Sequence, residues 1–224
     1  MSHADRRLVV AIDGPAASGK SSTARMVAER LGAWHVDSGS LYRAVTAARL
    51  RDGDDPESWT EASVLASAKR VTLRPGATSF VALIDGEPSE DEIRGAPVTA
   101  LVSLVAKMAH VREWVNARVR EAAQARDIVV DGRDMGTAVF PEAQVKVWLV
   151  ALPSERARRR IVQRTGREPA SAELDGETAE LERRDFRDSE QTQPAPDAVW
   201  IDTTGISEAD QVARVVNLAQ AAER

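Results

Sequence analysis

Eight consecutive residues, Gly14-Pro15-Ala16-Ala17-Ser18-Gly19-Lys20-Ser21, follow the pattern G-x-x-x-x-G-K-S. Their types and spacing suit a polyphosphate, which needs many hydrogen-bond donors in a small concave space. Glycines let successive backbone N–H groups turn inward, and a helix opening near Lys20 aims its positive dipole end at the same point. The lysine of such a loop reaches the β- and γ-phosphates, and the hydroxyl after it ligates Mg²⁺. Gly14 to Ser21, with Ser22 beside them, are therefore the expected cradle for a nucleoside triphosphate, with Lys20 catalytic and Ser21 on the metal.

Two large classes of protein with such a loop lack support. Recognition of guanine uses N-K-x-D, whereas the only asparagines, Asn116 and Asn217, stand in N-A-R-V and N-L-A-Q. The L-S-G-G-Q segment of transporter ATPases is also missing. Small-molecule kinases remain, and 224 residues fit their size.

The elements that must position this loop read as an α/β fold with a parallel sheet. Residues 8–12 form a continuous apolar run ending at Asp13-Gly14-Pro15, as expected of a strand buried on both faces. Ala24, Val27, Ala28 and Leu31 recur at helical spacing, and Gly32 is placed to end that helix. A short apolar stretch at 33–36 leads into Asp37-Ser38-Gly39. Helices are expected over 41–50 and 56–69. Residues 71–73 and 80–84, around Pro75-Gly76, read as a β-hairpin. Two helices follow over 97–125, then buried strands at 127–131 and 145–150. Charged helices at 156–164 and 172–187, a strand at 198–201 and an amphipathic helix at 207–222 complete the chain. The expected organisation is a three-layer core (about 8–54, 96–152 and 172–224), an inserted subdomain with its own small antiparallel sheet (about 55–95) and a helical lid (about 153–171).

Composition narrows the function further. A net charge of −5 argues against a general nucleic-acid binder. No apolar run approaches the length of a membrane span. The absence of cysteine suits a reducing cytoplasm and excludes a thiolate metal site. Without heptads or a surplus amphipathic helix, a monomer is the expectation.

Several segments together carry a resemblance. Ile12-Asp13-Gly14-Pro15, Asp37-Ser38-Gly39-Ser40-Leu41-Tyr42-Arg43, Val111-Arg112, Asp131-Gly132-Arg133-Asp134-Met135-Gly136-Thr137 and Arg184-Asp185-Phe186-Arg187-Asp188 occur in this order. In combination they resemble the bacterial cytidylate (CMP/dCMP) kinases over nearly the whole chain. The resemblance implies phosphoryl transfer from ATP to CMP or dCMP, with Mg²⁺. The acceptor is then a phosphate oxygen, already ionised, so no general base is needed. The difficulty is electrostatic, and converging cations answer it.

On this resemblance Arg43 and Arg133 are catalytic clamps on the acceptor phosphate, with Ser38 and Tyr42 beside the nucleotide. Asp134 and Arg112, with Ser103, match the cytosine-reading set: a carboxylate suits the N4 amino group and an arginine suits N3 and O2. Arg184 and Asp188 match the pair around the ribose, although such a pair also reads as an i,i+4 surface ion pair. Asp131 belongs to the substrate set and stands where Mg²⁺ or its waters would be held. Asp37 is a second candidate metal residue and equally a helix cap. Arg156 and Arg159, on the charged helix of the lid, are expected at ATP. The chain departs from the pattern at Gln191, where the family carries an arginine, and in a shortened link at 193–197. One acceptor-phosphate contact is thereby left unassigned. The alternatives are a kinase of UMP, AMP or a hydroxyl acceptor such as shikimate, or a non-catalytic nucleotide sensor.

Overall fold

A computed structural model describes residues 7–124, 126–189 and 192–222. In chain order the elements are β1 (Val9–Asp13), α1 (Lys20–Leu31), β2 (Trp34–Asp37), α2 (Ser38–Arg51), α3 (Glu61–Ala68), β3 (Val71–Pro75), β4 (Phe80–Ile84), β5 (Glu87–Pro88), α4 (Glu90–Arg94), α5 (Ala96–Val105) and α6 (Ala109–Ala123). There follow β6 (Ile128–Gly132), β7 (Val145–Val150), α7 (Pro153–Thr165), α8 (Ser171–Asp188), β8 (Val199–Asp202) and α9 (Glu208–Ala222). These elements fall into two compact units, one from Leu8 to Leu31 and from Val129 onward, the other from Gly32 to Ile128. Among the described residues no helix is long and apolar enough to cross a membrane.

The first unit holds the phosphate loop. Strands β6, β1, β7 and β8 are successive neighbours in its sheet, with β1–β7 and β7–β8 paired in parallel. The apolar run of β1 is explained by burial: Val10, Ala11 and Ile12 have no exposed surface. α1 and α9 pack together, and α9 turns Gln211, Val212, Val215, Val216 and Ala219 inward at helical spacing. α7 and α8 also pack against each other, as a highly charged helical pair.

The second unit is organised on α2. Leu41, Tyr42, Ala44, Val45, Ala47 and Ala48 are all buried, because α3, α4, α5 and β4 pack around this one helix. The expected hairpin is present as β3–β4, antiparallel, with Gly76 N–H donating to the Ser79 carbonyl in its turn. A short third strand, β5, which the sequence does not announce, adds to β4. The single helix expected over 56–69 is broken. After a 3-10 turn at Pro56–Ser58, Thr60 and Ser63 form a capping box and start α3 afresh.

Candidate active site

The loop between β1 and α1 depends on glycine at two points. Gly14 has φ +149°, and a Cβ there would lie 2.2 Å from the Leu149 carbonyl oxygen on β7. Gly19 has φ +89°, and its Cβ would meet the Gln211 amide on α9 at 3.3 Å. Ala17 adopts the left-handed conformation with φ +57°. Lys20 Nζ curls back to the Pro15 carbonyl at 2.6 Å and lies 3.5 Å from Ser18 Oγ. Burial pushes this ammonium well below its ordinary value. Arg133 adds repulsion, while Asp131 and Asp13 oppose both effects. The Ser22 hydroxyl donates to the Gly19 carbonyl at 3.0 Å and so belongs to the first turn of α1.

Two carboxylates from the ends of neighbouring strands meet this loop. Ser21 Oγ donates to Asp131 Oδ2, at the end of β6, at 2.6 Å. A hydroxyl and a carboxylate side by side are hard oxygen donors of the kind Mg²⁺ takes, usually with phosphates and waters completing the shell. The donor set therefore fits the ion. Among the described residues no group of three or more histidine or carboxylate side chains could hold a metal alone.

Asp13, at the end of β1, is a buried bridge. Its Oδ1 accepts from Met135 N–H at 2.9 Å and its Oδ2 from Gly136 N–H at 2.8 Å. Burial pushes its carboxyl up to about 6, against the pull of those two amides and of Lys20. Met135–Val139 make one wide π turn, in which the amides of Ala138 and Val139 return to the Asp134 carbonyl. The Arg133–Asp134 step is thereby anchored to the root of the phosphate loop. Asp134 itself is buried.

Asp188 stands between two of the expected substrate arginines, with Arg184 Nε at 3.6 Å and Arg133 Nε at 4.0 Å. The arginines of α7 are committed to protein groups. Arg156 binds Asp185 at 2.6 Å and the Ala16 carbonyl at 2.9 Å. Arg159 binds Glu155 at 2.8 Å and the Thr203 carbonyl at 2.5 Å. Arg160 and Arg164 share Glu177 on α8.

In the other unit, Asp37 ends β2 and caps α2 by accepting from Ser40 N–H at 3.1 Å, while Arg94 lies 3.3 Å from its second oxygen. Ser38 and Tyr42 are buried on α2. Arg43 Nη1 donates to Thr99 Oγ1 at 2.9 Å and lies 3.4 Å from the Ile93 carbonyl. Ser103 stands one turn beyond Thr99 on α5, half-buried, and Arg112 donates to the Ala106 carbonyl at 3.2 Å. Gln191 lies outside the described residues.

The model of the family described as cytidylate kinase matches residues 10–221. The chain belongs to the cytidylate kinase family. It is 43% identical over 217 residues to the cytidylate kinase of Geobacillus kaustophilus, covering 95% of this chain and 96% of that one. Against the cytidylate kinase of Geobacillus thermodenitrificans the identity is 41%, with 96% and 97% covered. For that of Solibacter usitatus it is 40%, with 92% and 89% covered. As a member of this family the chain is a nucleotide-binding kinase, a transferase.

Residue-by-residue reading of the family's segments leaves out Asp13, Asp185 and Gln211. Asp13 carries the same signal as Asp131, an acid ending a buried strand. Asp185 sits inside Arg184-Asp185-Phe186-Arg187-Asp188, where only Arg184 and Asp188 attract a role. Gln211 carries no local signal at all; its amide donates to Thr23 Oγ1 in the first turns of α1.

Proposed function

We propose that the chain transfers the γ-phosphoryl group of ATP to CMP and dCMP, giving ADP with CDP or dCDP, by direct in-line displacement. The observation that carries this reading is the Asp13 bridge. It fastens Met135 and Gly136, and with them the Arg133–Asp134 step, to the strand that ends in the phosphate loop. A donor cradle rigidly tied to a cation and a base-reading carboxylate is what nucleotide phosphorylation requires.

In this reading Lys20 and Arg133 neutralise the approaching phosphates, and Arg43 holds the acceptor phosphate. Asp134 accepts from cytosine N4–H, while Arg112 and Ser103 serve N3 and O2. Uracil would set O4 against the carboxylate and N3–H against the arginine, so it is rejected by repulsive contacts. Arg184 and Asp188 bind the ribose. Mg²⁺, which Ser21 and Asp131 are suited to hold, supplies further charge neutralisation when bound. The reaction belongs to pyrimidine nucleotide metabolism, and the cysteine-free composition suits a reducing cytoplasm.

Coupled measurement of ADP release with CMP, dCMP, UMP, AMP and shikimate tests the proposal. Turnover is expected with the two cytidine nucleotides. Preference for any other acceptor would refute it.

A further inference from the structure

Ala16 of the phosphate loop is gripped by two helices distant from it in sequence. Its amide N–H donates to Asp185 Oδ1 on α8 at 3.2 Å. Its carbonyl accepts from Arg156 Nη1 on α7 at 2.9 Å. The same guanidinium nitrogen donates its other hydrogen to Asp185 Oδ2 at 2.6 Å, which closes the ring, and Arg156 Nε reaches the Ala151 carbonyl at 3.2 Å. The Arg156 side chain is only 5% exposed. The Ala16 methyl is also enclosed, in a small apolar cluster with Ala157 of α7 and Leu181 of α8.

This grip acts next to the least favourable backbone of the loop. Ala17 holds φ +57°, a conformation that alanine rarely adopts and that persists only where its surroundings enforce it. The amides that follow are those a phosphate would meet. α8 also bears Arg184 and Asp188, the pair assigned to the ribose in the proposed function, with Arg133 beside Asp188. Helices α7 and α8 and the loop are thus fastened at one peptide.

We propose that Asp185, acting with Arg156, is a positioning residue of the donor site. It holds the Ala16 peptide so that the turn at Ala17 presents its amides to the phosphates of ATP. The inference rests on the proposed function only in taking ATP as the ligand of the loop.

Calorimetric titration of the whole protein with ATP and, separately, with CMP tests it. Asp185→Asn keeps the size of the side chain and an acceptor for the Ala16 amide, but sets an NH₂ group against Arg156. The dissociation constant for ATP is expected to rise about tenfold, while that for CMP stays within about twofold. Arg156→Lys, which keeps a charge and can still reach one acceptor, is expected to weaken ATP binding only about threefold. Equal weakening toward both nucleotides, or unaltered ATP binding, would overturn the proposal. If Asp185→Asn does not fold, Arg156→Lys decides alone, and unchanged ATP affinity in it counts against the proposal. Because binding is read, a wild type that binds ATP and leaves CMP unphosphorylated counts against the proposed function and not against this inference.

Discussion

Around the small antiparallel sheet, arginine–carboxylate pairs form an open mesh, whereas beside the phosphate loop a buried arginine and its carboxylate partner are tied to backbone. In the mesh Arg51 reaches Glu92 at 2.5 Å and Asp85 at 3.2 Å, and Arg70 reaches Asp85 at 2.7 Å and Asp52 at 2.8 Å. Each of these side chains keeps about a third or more of its surface in water. Such pairs trade hydration for contact at nearly even cost and weaken in salt. Near the loop, Asp13 and the Arg156–Asp185 pair satisfy buried amides and a carbonyl, so removing one partner strands the others. What an acid contributes here depends on the backbone groups it satisfies and on how dry they are.

Asp13→Ala is the sharpest way to break that contrast. It leaves the Met135 and Gly136 amides buried without their acceptor, at an expected cost of about 3 kcal/mol in urea unfolding. Phosphoryl transfer should fall as well, since the Arg133–Asp134 step loses its anchor. A loss no larger than that of a surface substitution would erase the distinction between the two regions.

The pH dependence of Asp13 gives a second, slightly smaller measure. Its folded value of about 6 lies above the ordinary 3.8, so the folded state binds its proton more tightly than the unfolded chain does. Its contribution to stability is then fully present below 3.8 and is lost as pH rises through 6. Relative to Asp13→Asn, which cannot ionise, wild-type stability should decline across that window by roughly 3 kcal/mol at most. A difference between the two proteins that stays flat with pH would mean the carboxyl is not held up by burial.

Arg51→Ala should do least. Its loss from the mesh is expected to move the melting midpoint by no more than about 2 °C, and by less in high salt. A larger, salt-independent drop would make the mesh structural in the same sense as the buried bridge.

Much of the fold is legible because local patterns suffice for it. The apolar runs of β1 and β6, and that of β7 with its one lysine, announce strands covered on both faces. Glycine, lysine and serine at fixed offsets announce the cradle. Two apolar stretches on either side of Pro75-Gly76 announce the hairpin. The misread helix over 56–69 has a local cause, since its periodicity continues across Thr60, whose capping bond with Ser63 begins a new helix. Asp37 reads both as a metal residue and as a cap, and within its unit it caps α2 and meets Arg94. The charged stretch of α7 reads as a set of cations for ATP, and only the structure adds that Arg156 and Arg159 contact Asp185, Glu155 and backbone carbonyls. Sequence shows the charge of a helix, but not which opposing groups share its surroundings.

By itself the sequence determines the phosphate loop, its place between a buried strand and a helix, and the segments that make the chain a cytidylate kinase relative. Each of these depends on neighbours within a few residues or on a motif kept whole. Only the tertiary structure decides that Asp13 holds residues 122 and 123 positions away, and that Asp185 reaches back 169 positions to Ala16. No periodicity encodes such links, because a buried amide accepts any carboxylate that packing brings within reach. Which one arrives depends on how the helices and the sheet are layered.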